Sequence, residues 1–304
     1  MSVIVKGGGG KSSGLYVWKK YEVVTYLSFI GNEDFTLKTN NTYKNWNGTL
    51  EYSTDTTTWN TWNGKEISSV GSKLYLRGTG NTKIIEGYDD SRFVFTGTDA
   101  LKIACKGNIE NLLDYETVSA GGHPTMAEFC YFSMFNGCTV LTTAPSLPAT
   151  TLTQRCYYGM FRDCTSLTTA PELPATTLAD YCYYNMFYGC TSLTSAPALP
   201  ATTLANYCYN NMFWDCTSLT SAPALPATTL VSYCYRNMFY VCTKIKLSTT
   251  QTGKYQTAYR IPKSGTGTTA TNALQNMFAS TGGSFTGTPS INTTYYLSTS
   301  NTVV

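Results

Sequence analysis

Apolar and polar positions follow two different rules along this chain. Between residues 20 and 103 they alternate, the period-two signature of half-buried strands. The alternation predicts strands at Glu22–Ser28, Phe35–Thr39, Thr49–Ser53, Ser72–Leu76 and Arg92–Phe95. Turn-forming clusters separate them: Gly31-Asn32, Asn47-Gly48, Asn63-Gly64 and Gly78-Thr79-Gly80. Short strands so spaced predict a small β-sandwich. Beyond it the pattern acquires a long period. A 26-residue unit runs four times without a gap from Ala127 to Leu230, its third copy reading ADYCYYNMFYGCTSLTSAPALPATTL. A fifth copy starts at Val231 and decays after Cys242, and a degenerate echo spans Ala273–Leu297.

One such unit is too small to bury its own apolar face, so the copies must stack. Within a unit the CYxxMFxxC segment fits a helix or tight helical turns. At about 100° per residue, Cys156, Tyr157, Met160, Phe161 and Cys164 share one arc of about 140°, the face expected to be buried. Leu167, Ala170, Leu173 and Leu178 follow in an extended stretch that Pro171 and Pro174 restrict to a short strand. A period of roughly 20–29 residues with these parts belongs to leucine-rich repeats. The expected fold class is therefore α+β multidomain, a small N-terminal β-sandwich followed by a leucine-rich-repeat solenoid. Its expected parts are a tether (1–19), the sandwich (20–103), an N-terminal cap (104–126), the repeats (127–247) and a degenerate repeat with a C-terminal cap (248–304).

Three positions vary strongly between otherwise near-identical copies. They read Phe129, Phe132 and Asn136; Arg155, Tyr158 and Arg162; Tyr181, Tyr184 and Tyr188; Tyr207, Asn210 and Trp214; Tyr233, Arg236 and Tyr240. On a helix this spacing makes one stripe, about 160° from the centre of the buried arc. A freely drifting solvated face fills with Lys, Glu, Ser and Asn. This one fills with Tyr, Trp, Arg and Asn, the residues of recognition surfaces. The last four sets are the candidate binding residues, with repeat-to-repeat contacts between large side chains as the alternative. On the strand side, Thr142, Thr168, Thr194 and Thr220 recur beside Thr143, Thr169, Ser195 and Ser221. They read as a structural hydroxyl ladder, although such arrays also bind sugars.

Composition narrows the partners. Only 13% of residues are charged, against about 25% in ordinary domains, while the chain holds 51 threonines and 24 tyrosines. Residues 127–242 carry Arg155, Arg162 and Arg236 against Glu128, Asp163, Glu172, Asp180 and Asp215. Nucleic acid and other polyanions are not expected partners. No apolar run approaches the roughly 20 residues of a membrane helix. The N-terminus, MSVIVKGGGGKSSG, lacks the pattern of a secretory signal, so synthesis without export through a signal peptide is expected.

Catalytic chemistry finds little to stand on. His123 is the one histidine and sits in a Gly-rich loop, and Asp89-Asp90, Asp114 and Glu116 are not spaced as a pair around a substrate. No nucleophile elbow, zinc-protease motif or phosphate loop is present; Gly7–Gly10 reads as a flexible tether. Trp46, Trp59 and Trp62 suggest a carbohydrate platform, with at least one of them expected in the core. Ten of the 11 cysteines fall on two repeat positions, Cys130, Cys156, Cys182, Cys208 and Cys234, then Cys138, Cys164, Cys190, Cys216 and Cys242. Their spacing of eight is unlike the CxxC pairs of zinc sites and reads as reduced core columns. A non-enzymatic protein without metal or cofactor is expected.

The pattern L-T-x-A-P-x-L-P-A-T-T-L-x-x-x-C-Y-x-x-M-F-x-x-C-T-S-L closely resembles the BspA-like leucine-rich repeats of bacterial surface proteins, over 127–247 above all. Upstream, GGGGKSSGLYVWKKY (7–21) and TLEYSTDTTTWNTWNGKEISSVGSKLYLRGTGNTKI (49–84) resemble tail-associated proteins of phages and prophages of gut bacteria. The resemblance implies adhesion without catalysis. A phage tail or tail-like particle would carry the chain to a bacterial surface glycan or protein receptor, and the N-terminal region would hold it to other particle proteins. The resemblance also implies trimers, for which no heptad pattern is seen. A bacterial cell-surface adhesin and a structural fibre spacer are the alternatives.

Overall fold

The computed structural model describes residues 26–40, 46–85 and 92–304. Among the described residues eight strands come first: β1 (Leu27–Gly31), β2 (Thr36–Thr39), β3 (Thr49–Ser53), β4 (Asn60–Trp62), β5 (Ile67–Ser68), β6 (Lys73–Thr79), β7 (Phe93–Thr96) and β8 (Ile103–Lys106). A short helix, α1 (Asn111–Ser119), follows, broken by non-helical φ/ψ at Asp114. Alternation does the work in the strands. In β6 Leu74 and Leu76 are buried while Lys73, Tyr75 and Arg77 point outward, and Arg77 faces Glu51 of β3 across the strand pair. The predicted strands lie close to β1, β2, β3, β6 and β7, and residues 22–25 of the first lie outside the described residues.

Two sheets result, with orders β4-β3-β6-β1-β8-β9, where β9 is Leu141–Thr143, and β5-β2-β7. They meet through Phe29 of β1, whose ring lies 6.1 Å from Phe93 and 5.0 Å from Phe95 of β7. Helix α1 lies against β6 at Gly78, where a Cβ would collide with the Leu112 carbonyl. The same carbonyl accepts from Asn81 Nδ2 at 3.0 Å. The sixth strand of the larger sheet, β9 (Leu141–Thr143), belongs to the first repeat and pairs in parallel with β8.

The expected α+β class is overturned. The described chain is nearly all β with the single short helix α1, arranged as several small sheets, and no sheet winds through the repeats as a solenoid would require. The segment expected to be a helix or tight helical turns is, in every copy, a run of hydrogen-bonded turns. Its backbone turns left-handed at every fourth residue, with φ of +60° at Tyr181, +55° at Asn185 and +71° at Gly189. No α-helix survives such residues. The i→i−4 ladder is replaced by two alternating sets of bonds. Tyr184 N–H and Met186 N–H close tight turns on the carbonyls of Tyr181 and Tyr183. Between them, the N–H groups of Tyr183, Asn185, Phe187 and Gly189 donate to Cys208, Asn210, Met212 and Trp214 of the next copy. Every turn is thereby stitched to its neighbour, and the copies stack in register.

Stacking makes continuous internal columns. Tyr157, Tyr183 and Tyr209 are buried with ring centroids 5.7–5.9 Å apart, and Phe161, Phe187 and Phe213 are 5.7 Å apart. Met160, Met186 and Met212 are fully buried beside them. The echo takes the last place in the stack. Phe278 lies 5.3 Å from Phe239, and Phe239 N–H donates to Met277.

The strand side is thinner. After β9 it consists of isolated bridges such as Thr169↔Ser195 and of β10 (Ser221–Ala222). Between the fifth copy and the echo the chain turns aside into β11 (Leu247–Ser248) and β12 (Tyr255–Arg260), which sandwich β13 (Thr294–Ser298). The final strand, β14 (Thr302–Val303), then returns to β10 in parallel. Thr302 N–H donates to Thr220 at 3.2 Å, continuing the series Thr220 to Thr194 and Thr194 to Thr168. Thr302 thus fills the ladder position that Lys246 occupies in the sequence of the decayed copy. Asn301, buried, holds the join through Nδ2 to the carbonyls of Thr220 and Lys244 and through Oδ1 from Lys246 N–H.

Candidate functional site

The three variable positions do not form a helical stripe, because there is no helix. They form three columns along the stack. In the first, Arg155 lies over Phe129 (5.3 Å) and Tyr181 (4.6 Å), and Tyr181, Tyr207 and Tyr233 stack at 4.5 Å with planes within 9°. In the second, Phe132, Tyr158 and Tyr184 stack at 4.6 and 4.7 Å before Asn210 and Arg236. In the third, Arg162 lies 4.7 Å over Tyr188, which is followed by Trp214 at 5.5 Å and Tyr240 at 4.4 Å.

Eleven of the twelve candidate residues are half-buried: Arg155, Tyr158, Arg162, Tyr181, Tyr184, Tyr188, Tyr207, Trp214, Tyr233, Arg236 and Tyr240. Asn210 departs from the expected outward stripe, being only 2% exposed. It is the shortest side chain of its column and sinks between larger neighbours. The columns explain which residues vary. Phe, Tyr, Trp, Arg and Asn all end in flat groups, and flat groups stack. The packing alternative weighed from sequence is therefore physically present at these positions. It occupies the ring faces and leaves edges, hydroxyls and guanidinium groups at the surface.

Beneath the columns lies a second, buried ladder. Asn211 Nδ2 donates to Asn185 Oδ1 at 2.9 Å, and Asn237 Nδ2 donates to Asn211 Oδ1 at 3.0 Å. Asparagine suits this position twice over, since it also tolerates left-handed φ. No spacing rule for helices singles it out. Arg236 Nε is buried without a hydrogen-bond partner. Glu128 and Asp180 directly precede Phe129 and Tyr181 of the first column, and Asp163 and Asp215 directly follow Arg162 and Trp214 of the third; Asp163 sits 3.3 Å from Arg162 Nε.

Other candidates resolve into the fold. Thr194 and Thr220 donate their hydroxyls to the carbonyls of Thr168 and Thr194 at 3.2 and 3.0 Å, so this ladder holds copies together. Trp46 and Trp62 are stacked in the core at 5.3 Å, which removes the three-tryptophan platform. Trp59 remains near the surface, 4.1 Å from the guanidinium of Arg77. Tyr115 covers the other part of that guanidinium at 4.5 Å, and Glu51 accepts from its Nε at 2.7 Å. Sequence reasoning missed this cluster; the Glu51–Arg77 register across β3 and β6 was its readable half. It ties α1 to the sheet.

His123 Nδ1 lies 2.8 Å from Glu110 Oε2, an almost fully buried carboxylate, which gives the histidine a partner and no nucleophile. Backbone N–H groups of Thr117 and Gly80 hold the Asp114 carboxyl below the usual range. Asp89, Asp90 and the Gly7–Gly10 tether lie outside the described residues. The cysteines of both columns are buried as free thiols. Cys190 and Cys216 donate to the carbonyls of Phe161 and Phe187 at 3.0 Å, and burial pushes the Cys156 thiol up to about 12. Among the described residues no His, Cys, Asp and Glu group of three or more is placed to hold a metal ion, and no helix is long and apolar enough to cross a membrane. An open groove of about 400 Å3 lies away from the columns, lined by Pro145, Pro148, Pro171 and Pro174 with Glu172.

No family model, curated protein or solved structure matches this chain.

Proposed function

We propose that this chain is a non-enzymatic recognition protein, the receptor-binding or adhesion component of a phage tail or tail-like particle. In this reading the repeat stack meets the bacterial surface, and the N-terminal region joins other particle proteins. The observation that carries it is the set of three outward columns. They align tyrosine, tryptophan and arginine over four successive copies into one half-exposed surface, where solvated repeats carry Lys, Glu and Ser. The sequence resemblance to BspA-like surface repeats and to tail-associated proteins supports the same reading. A cell-surface adhesin would use the same surface and differ only in what carries it.

The test is binding of purified, fluorescently labelled protein to a panel of gut bacterial strains. At least one strain should bind saturably. Tyr184→Ala combined with Trp214→Ala should weaken binding to it about tenfold or more, since exposed aromatic anchors each contribute roughly 1–2 kcal/mol. Unchanged binding by a folded double variant removes the columns from recognition. Absence of binding across the panel favours a structural spacer.

A further inference from the structure

Resting on that reading, we infer that the columns recognise a protein surface rather than a glycan, and that they do so through ring edges and hydrogen-bond donors. Saccharides bind aromatic side chains by lying on a ring face. Here the faces are used up. Tyr207 has Tyr181 on one side and Tyr233 on the other, both at 4.5 Å and within 9° of parallel. Tyr158 is enclosed in the same way by Phe132 and Tyr184, while Trp214 is flanked by Tyr188 and Tyr240 at tilts of 35° and 41°. At the ends of the tyrosine stack in the first column, Arg155 covers Tyr181 and Arg236 lies 5.4 Å over Tyr233.

What remains outward is weighted towards donors. Ring edges carry the positive end of the aromatic quadrupole. The indole N–H of Trp214 and the guanidinium groups of Arg155 and Arg162 only donate, and phenolic hydroxyls donate as well as accept. None of the three columns contains an acid, while Glu128 and Asp180 directly precede Phe129 and Tyr181 of the first column, and Asp163 and Asp215 directly follow Arg162 and Trp214 of the third. Such a strip complements carbonyl and carboxylate oxygens on a partner, with the flanking acids set to fix its orientation. The groove of about 400 Å3 lies away from this strip, on the proline side. Small saccharides are held in concave sites. Rigid tyrosine edges with arginine are the means by which flat protein surfaces are read.

Two arms test this with envelopes of a strain that the protein binds. Digestion with proteinase K should abolish binding, and mild periodate oxidation should leave it within twofold. Loss under periodate, or survival of both treatments, overturns the protein assignment. In the second arm Tyr181, Tyr188 and Tyr207 are replaced together, once by Phe and once by Ala. The Phe set keeps the stacks and removes hydroxyls, so binding should fall about tenfold while the thermal midpoint holds. If the Phe set binds as wild type while the Ala set does not, recognition uses the rings and the edge-and-donor inference fails, with the recognition reading intact. If neither set changes binding, both fail.

Discussion

At the residue scale the decisive choice is which side chains accept a left-handed backbone. Each copy places three residues there, four apart: Tyr181, Asn185 and Gly189 in the third, Tyr207, Asn211 and Asp215 in the fourth. A single such residue costs about 1–2 kcal/mol for an ordinary side chain, and less for Gly or Asn. The stitched backbone bonds and the stacked columns offset that cost. Asn211 separates the two contributions. Asn211→Gly keeps the backbone and loses both amide bonds to its neighbours, and should destabilise the protein by about 1–2 kcal/mol. Asn211→Ala adds the left-handed strain and should cost about 1–2 kcal/mol more. Urea unfolding of the two variants checks the order. Equal effects would mean that the ladder, not the backbone, selects asparagine.

At the element scale the same positions show how far the sequence could be read. Strands β2, β3, β6 and β7 were visible because alternation and turn residues agree. The repeat and its buried set were visible because Cys156, Tyr157, Met160, Phe161 and Cys164 recur in every copy. Of the two readings, helix or tight turns, helix was the wrong one for a physical reason. Cys156, Met160 and Cys164 recur at four, as do Tyr157 and Phe161, and a spacing of four serves a 3.6-residue helix and a four-residue turn alike over so short a run. What decides between them is the left-handed residue in each turn, and tyrosine or arginine at that place gives no warning. The return of β14 was equally hidden, since Asn301-Thr302 acts through one clamp on Lys246 and Thr220, far away in sequence. The stitching itself predicts modularity. Deleting residues 179–204, one whole 26-residue unit, joins Leu178 to Ala205 and presents each remaining donor with an equivalent acceptor. The shortened protein should fold cooperatively with a lowered urea midpoint, because one set of neighbour contacts is gone. Deleting 13 residues instead should abolish folding. Similar behaviour of the two deletions, judged by circular dichroism and urea titration, would argue against register-dependent stacking.

At the scale of the whole molecule, the low charge that composition reports becomes a statement about pH. The interior that replaces charge is built from ionisable groups kept neutral, namely all 11 cysteines and the inner tyrosine column. Burial pushes the thiols of Cys138, Cys156 and Cys234 from an ordinary 9.0 up to about 12, and the others upward as well. The direction of the effect follows from linkage. Below pH 9 folded and unfolded chains both hold these protons, and the thiols contribute their full packing. Above it the unfolded chain releases protons that the folded chain retains, so stability falls as pH rises towards 12. Each thiol gives up about 1 kcal/mol by pH 10, and many acting together match the roughly 5–15 kcal/mol of a typical domain. The protein should therefore unfold in one steep transition between about pH 10 and 11. Tyrosine ionisation at 295 nm and the loss of the circular dichroism signal should coincide there. Thiols that react with a disulfide reagent at pH 9 while the fold persists would show that the cysteine columns are open to solvent, and that the neutral interior is not what holds the copies together.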